Sequence, residues 1–307
     1  MKRIIALIGL VWLAMPGLAQ VTLEIKNRDG TIMEGQVGVR THQVLTLGGQ
    51  ELETKVNQTA HIRIVNGQRN AEGRLKQTTS NTRLVSKMEF PGGIKMEFDS
   101  RAPETKAPLA QLEPLLDGLR AALKIRVVSE FDKADHLKEV VVLDAEELAN
   151  NPMMKELANP KNVLSRFRQD LKRLPDKAVS KGDSWVRDEL IFLGNGQTVE
   201  FRVDYTYAGV MKSEGRVLDR INGKITSAQY DQKAEAAGPL KVKDSELKPV
   251  KSAIEVLFDK QLGQIVKVKS MVQIKGDMTF EVNGRELPGK LDLTMENNMA
   301  LGLTKDK

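Results

Sequence analysis

A short motif between Leu174 and Trp185, in the stretch LPDKAVSKGDSW, contains a candidate nucleophile. Gly182, Asp183 and Ser184 form a Gly-Asp-Ser sequence, and a serine hydroxyl is a weak nucleophile until an adjacent base activates it. The motif alone therefore leaves two alternatives open. Ser184 is either a hydrolytic serine or part of the turn that leads into a β-strand carrying Trp185.

The positions of the three histidines decide against the hydrolase. The motif resembles that of a large lipase and esterase family, whose histidine base follows near the C-terminus in an Asp-x-x-His sequence. Here His42, His61 and His136 all precede Ser184, and none has an aspartate three residues before it. They also form no His-x-His or His-x-x-x-His pair. The sequence therefore predicts no catalytic residue, no metal ion and no cofactor.

A pair of carboxylates is the remaining arrangement that could form a catalytic site. Glu200 and Asp204 alternate with Arg202, which is typical of a solvated, charge-paired strand face. A glycan-active enzyme needs two carboxyl groups that flank the scissile bond. Distant parts of the chain could supply such a pair, so this alternative stays open.

The elements that would position these residues are mainly strands. Alternation of apolar and polar residues, typical of half-buried strands, is clearest in Val199–Tyr207. The short connections between such segments favour antiparallel pairing. The other predicted strands are Val21–Ile25, Gln58–Ile64, Leu84–Phe90, Ile94–Phe98, Ile125–Phe131, Glu139–Leu143, Ser184–Phe192, Ile254–Phe258, Val266–Ile274, Met278–Val282 and Leu291–Met295.

Three helices are predicted in the middle of the chain. Leucines from Leu109 to Leu123 recur at spacings of three and four residues, Asp144 can cap a helix over Ala145–Ala158, and a third begins at Pro160. We therefore predict an α+β fold: a curved antiparallel sheet of open, half-barrel-like meanders, with about three helices packed on one side. It forms one domain over residues 20–307, with a β-rich part (20–101), a middle of helices and a strand pair (102–174) and a second β-rich part (175–307).

Four methionines fall on apolar strand faces: Met88, Met96, Met278 and Met295. Thioethers adapt to irregular shapes, so these side chains could line a site for an apolar ligand, with ordinary core filling as the alternative. Structural roles are expected for Gly182, in the turn, and for Trp185, which closes the end of a core.

The first 19 residues have the pattern of a cleaved signal peptide. Lys2 and Arg3 precede an apolar run from Ile4 to Met15, which is short against the ~20 residues that span a bilayer. Cleavage is predicted after Ala19, which leaves Gln20 as the new N-terminus. We therefore expect an exported protein, periplasmic or extracellular, that is not an integral membrane protein.

The composition of the chain argues against a nucleic acid partner and excludes every site that depends on cysteine. The chain has 47 basic and 41 acidic residues, and these charges are interspersed. A nucleic-acid-binding protein more often concentrates its basic residues in one patch, so no nucleic acid partner is expected. The chain contains no cysteine, which excludes disulfides, thiolate metal sites and cysteine nucleophiles.

Several short phrases together resemble an exported bacterial family of unknown function that is abundant in planctomycetes. The phrases are TLGGQELET (46–54), MEFPGG (88–93), MEFDS (96–100), GDSW (182–185) and YTYAG (205–209), and the resemblance covers roughly residues 35–300. That family's layout is distantly similar to the periplasmic lipoprotein-carrier superfamily, which implies a place for acyl chains inside the fold. No catalytic or binding residues follow from the resemblance.

These observations favour a non-enzymatic exported protein, with an apolar or lipid-like ligand bound between the sheet and the helices. An envelope scaffold or protein-interaction module without a small ligand is the alternative.

Overall fold

The fold is a single antiparallel sheet of twelve strands, in the order β6-β5-β3-β2-β1-β12-β11-β10-β9-β8-β7, with β4 paired to β3 beside β5. The structure is a computed structural model that describes residues 20–102, 104–146, 159–194, 197–232, 240–282 and 284–304. The strands are β1 (Ile32–Leu47), β2 (Gln50–Asn66), β3 (Leu75–Phe90), β4 (Ile94–Asp99), β5 (Arg126–Phe131), β6 (Leu137–Leu143), β7 (Ser184–Gly194), β8 (Gln197–Ser213), β9 (Arg216–Gln232), β10 (Leu240–Asp259), β11 (Gln264–Val282) and β12 (Arg285–Leu303).

The first and last strands meet in the middle of the sheet. β1 pairs with β2 on one side and with β12 on the other, and both pairings are antiparallel. The two β-rich parts of the chain therefore form one sheet, whose edge strands are β6 and β7.

One face of this sheet carries most of the apolar side chains, and we call it the inner face. Phe201, Val203 and Tyr205 of β8 are buried there, whereas Arg202 and Asp204 between them are exposed on the outer face. The register continues this face across the sheet, since Val272, Met295, Thr41, Val56 and Met88 lie opposite one another on successive strands.

Two helices pack at separate places against the sheet: α1 (Glu113–Ala122) and α2 (Pro160–Lys172). From α1, Leu116 and Leu119 are buried against Leu84, Met96 and Phe98 of β3 and β4. Side chains of α2 pack on β5 and β6, with Val163 buried against Val127, Val140 and Val142. The largest core lies on β8–β12 and includes Leu23 of the N-terminal segment.

The prediction of an α+β fold, with about three helices on a curved sheet, is wrong. The described structure is dominated by the twelve-stranded sheet and contains two α-helices and two short 3-10 turns, Pro91–Gly93 and Ala110–Leu112. The observed helix α1 is shorter than the predicted first helix, because Pro114 fits only the first turn of a helix. The predicted second helix falls mostly in residues 147–158, outside the described residues.

Strand length is the physical reason for this error. β8 has 17 residues and β10 has 20, about two and four times the lengths of the predicted strands Val199–Tyr207 and Ile254–Phe258. Polar inner-face residues such as Thr41, Gln43 and Thr54 interrupt the apolar alternation without ending a strand. A strand requires backbone pairing rather than unbroken alternation, so the alternation pattern predicted strands that were too short.

The N-terminal segment runs across one end of the sheet instead of forming the predicted strand Val21–Ile25. Val21 forms an isolated bridge with Val179, and the Lys26 amide donates to the Gly263 carbonyl at 2.8 Å. The Gln77 side-chain amide donates to both Asn27 and Asn66, all three being buried. This network fixes the segment to the turns at that end.

Candidate functional site

The inner face is covered on both flanks and uncovered in the middle. Between the core beneath α1 and the largest core, the inner-face side chains of β1, β2 and β12 are only partly buried. We call this region the open strip and define it by Val37, Val39, Gln58, Met295, Asn297 and Met299. Val39 is the most exposed, at 37%. The open strip is therefore an apolar surface that no element of the described structure covers fully.

The register sets the geometry of the open strip. Val39 lies opposite Asn297 on one side and Gln58 on the other, and Val37 lies opposite Met299 and Ala60. Side chains directly opposite on antiparallel strands have Cβ atoms ~4.5–5.5 Å apart, so these side chains form two neighbouring rows. Every side chain in the two rows is uncharged. The strip combines apolar side chains with two neutral amides.

The four predicted methionines do not converge on one site. Met88 and Met96 lie opposite each other on β3 and β4, buried in the core beneath α1. Met278 is buried in the largest core, and Met295 lies partly buried on the open strip. A ligand-lining role for these residues stays a prediction, and only Met295 lies where a ligand could reach it without displacing a packed core.

The Gly182-Asp183-Ser184 turn leads into β7. Gly182 has φ +99° and its amide donates to the Tyr207 carbonyl at 2.9 Å, a backbone conformation that glycine adopts at little cost. The Ser184 hydroxyl lies 2.9 Å from that of Thr206. In the described structure the serine is thus engaged with a strand neighbour, at the start of β7.

The histidines lie elsewhere and bond to other partners. His42 lies 2.7 Å from Glu53, His61 lies 3.4 Å from Gln36, and His136 lies 3.5 Å from Asp132. No group of three or more potential ligands is placed to hold a metal ion among the residues that the structure describes. Glu200 and Asp204 are exposed on the outer face of β8 and do not face each other across a cleft.

A largely buried ion pair attaches the end of α2 to β7. The guanidinium of Arg173, the C-cap residue of α2, donates two hydrogen bonds to the Glu189 carboxylate, at 3.2 and 3.1 Å. Burial opposes the charge on Arg173, but the carboxylates of Asp170 and Glu189 outweigh burial and raise its pKa. Burial, reinforced by the negative charge of Glu189, raises the pKa of Tyr205, whose hydroxyl donates to Glu189.

This ion pair was not predicted from the sequence, because charged residues in β7 fall on both faces.

The ion pair places α2 between the two edges of the sheet. The Leu190 amide of β7 donates to Gln169 of α2 at 2.9 Å, whereas Val163 of the same helix packs on β6. Since α2 contacts both edge strands, it holds the sheet's two ends near each other.

In the described part of the chain, no helix is both long and apolar enough to span a bilayer. No family model matches the chain, and no curated protein matches it.

Several solved structures share weak backbone similarity with this chain. A structure titled "Lipid-protein interactions in lipovitellin" has 9% identity and a TM-score of 0.39, over 91% of this chain and 26% of that one. The outer membrane protein OprG from Pseudomonas aeruginosa has 7% identity and a TM-score of 0.18, over 92% and 100%. A DUF1329 family protein from Desulfovibrio piger has 10% identity and a TM-score of 0.12, over 86% and 84%.

This chain thus spans about a quarter of the lipovitellin chain that it matches. Similarities this weak carry no argument about function, and none establishes a family. The case for a function therefore rests on the side chains of the inner face.

Proposed function

We propose that this protein is a non-enzymatic binding protein that holds an apolar or lipid-like ligand against the open strip, between the sheet and the helices. The observation that supports the proposal is the partial exposure of Val37, Val39, Met295 and Met299 between two covered cores. Apolar surface left in water is a source of binding free energy, at about 25 cal/mol per Å² once covered.

The composition of this apolar surface favours a small-molecule ligand. Binding sites for small molecules are concave and mainly apolar, with few polar groups that fix orientation. The open strip has this composition, since Gln58 and Asn297 are its only polar members. The core beneath α1 and the largest core would border a ligand lying along β1 and β12.

A second candidate function is an envelope scaffold or interaction module without a small ligand. It is favoured by Val210 and Val217, which are 61% and 58% exposed near the tip of the β8–β9 hairpin. Exposed apolar side chains of this kind are found at protein–protein contacts. Crosslinking in cells that captures one partner through this hairpin, with no ligand in the purified protein, would support this alternative.

The binding proposal is tested with protein purified under gentle conditions. Native mass spectrometry is expected to show mass beyond that of the polypeptide, and delipidated protein is expected to bind the apolar fluorophore N-phenyl-1-naphthylamine. Bare polypeptide mass together with no uptake of the fluorophore would contradict the proposal.

A matched pair of variants locates the site. Val39→Asp places a carboxylate on the open strip, and we expect it to weaken fluorophore binding about tenfold, because a charge is costly to bury beside apolar groups. Gln36→Asp places the same group on the outer face of β1, where Gln36 is exposed, and is expected to leave binding unchanged. Equal effects of the two variants would place the site elsewhere.

We also propose that the protein is exported. The support is the pattern of residues 1–19, with Lys2 and Arg3, an apolar run and small residues up to Ala19. Protein sequencing of material from a Gram-negative host is expected to find Gln20 at the N-terminus, outside the cytoplasm. Intact Met1 on cytoplasmic protein would refute export.

A further inference from the structure

Buried polar atoms without partners are concentrated on the inner face. Of five such side-chain atoms among the described residues, four belong to inner-face positions: Ser86 Oγ, Ser129 Oγ, Trp185 Nε1 and Asn297 Oδ1. The fifth, Arg220 Nε, belongs to the outer face. Most buried polar atoms in native proteins have a hydrogen-bond partner, so this concentration calls for an explanation within the interior.

Two of these atoms belong to one polar row that crosses the open strip. Asn297 lies opposite Val39, Val39 opposite Gln58, and Gln58 opposite Ser86. Ser86 is 1% exposed beneath α1, whereas Gln58 and Asn297 are partly open. The rows on either side are mostly apolar, with Val37 and Met299 in one and Met295 and Val56 in the other. The interior thus has a narrow polar band within an apolar surface.

This band is also neutral. Apart from Arg285, the first residue of β12, the inner-face positions of β1, β2, β11 and β12 are occupied by uncharged residues. The edge strand β7 carries inner-face charges, Arg187 and Glu189, and Glu189 pairs with Arg173 at the end of α2. β7 is five strands from β12, about 24 Å at ~4.8 Å per strand. No cation of the described sheet therefore lies beside the polar band.

We infer that the ligand is a neutral amphiphile whose hydroxyl or amide group donates a hydrogen bond to the band at Asn297 and Gln58, with its apolar chain on the neighbouring rows. This inference rests on the proposed function. Asn297 Oδ1 is an acceptor, so its partner must donate. A fatty-acid anion is disfavoured, because a carboxylate without a cation or sufficient donors is costly to bury.

The test uses three ligands with the same twelve-carbon acyl chain, each below its critical micelle concentration at pH 8. Monolauroylglycerol donates hydrogen bonds and is neutral, methyl laurate is neutral without a donor, and laurate is an anion. Each is titrated against bound N-phenyl-1-naphthylamine. Monolauroylglycerol is expected to displace the fluorophore at concentrations about tenfold lower than either of the others.

Variants assign this preference to the band. Asn297→Leu and Gln58→Leu are expected to reduce the preference for monolauroylglycerol over methyl laurate to about threefold or less. Their controls are Asn298→Leu and Asn57→Leu, which change the adjacent, exposed outer-face residues. These controls are expected to keep the full preference for monolauroylglycerol over methyl laurate.

The outcomes separate this inference from the proposed function. Fluorophore binding without any preference for monolauroylglycerol would overturn the inference alone. A preference that the inner-face and outer-face variants reduce equally would also overturn it. No fluorophore binding by the wild-type protein would overturn both.

Discussion

The indole of Trp185 stacks on the phenol ring of Tyr205, with 5.9 Å between the ring centroids and 22° between the planes. The two residues lie opposite each other on β7 and β8, and Tyr205 is fully buried in the largest core. The stack therefore joins the start of an edge strand to that core.

Removal of the indole is expected to destabilise the protein. Trp185→Ala should lower the free energy of unfolding by about 3 kcal/mol, because it loses both apolar burial and the stacked ring. Its control, Ser184→Ala, removes an exposed hydroxyl and should cost less than about 1 kcal/mol. Urea unfolding followed by circular dichroism measures both, and a stable Trp185→Ala protein would contradict the structural role.

The contact between Arg173 and Glu189 should be a coupled pair. Their side chains are 21% and 13% exposed. Removal of one partner from a buried pair leaves an uncompensated charge, so Glu189→Leu and Arg173→Met should each cost about 3 kcal/mol. The double variant should cost less than the sum of the two, which a double-mutant cycle measures. Additive costs would show that the pair does not hold α2 to β7.

The sequence predicted the C-terminal hairpins because their alternation is regular. The predicted strands Ile254–Phe258 and Val266–Ile274 lie in β10 and β11, which pair with each other. The predicted strands Ser184–Phe192 and Val199–Tyr207 likewise lie in β7 and β8, which pair with each other. In β8, β10 and β11, buried residues at alternate positions made the inner face recognisable.

The open strip could not be predicted in the same way. β1 was missed because Gly35, Thr41 and Gln43 break its apolar alternation, and its position beside β12 depends on a pairing between residues more than 200 apart. The face of β7 was ambiguous, since Arg187 and Glu189 alternate with Val186 and Asp188. Contacts distant in the chain, rather than local pattern, position these side chains.

Acid should remove the contribution of Asp132 to stability. The backbone N–H groups of His136 and Ala134, together with Lys138, lower the pKa of Asp132 from 3.8 to about 2. A carboxyl whose pKa is lower in the folded protein than in the unfolded protein stabilises the fold at pH values above its unfolded pKa. This stabilisation is lost as the pH falls through the folded pKa. Asp132→Asn should therefore destabilise the protein at pH 6, and the difference should disappear between pH 4 and pH 2.

Denaturant unfolding of both proteins across this range provides the measurement. A difference between wild type and Asp132→Asn that stays constant from pH 6 to pH 2 would show that ionisation of this carboxyl does not stabilise the β5–β6 turn.

Two glycines of β1 should respond in opposite ways to alanine. A Cβ on Gly35 would lie 2.0 Å from the Ala300 carbonyl oxygen of β12, whereas the nearest atom to a Cβ on Gly38 is 3.8 Å away. Gly35→Ala must separate β1 from β12 locally and should cost about 3 kcal/mol. Gly38→Ala only restricts the unfolded chain and should be neutral or stabilise by ~0.4–1 kcal/mol. Thermal and urea unfolding compare the two variants, and equal stability would show that β1 and β12 do not pack at this distance.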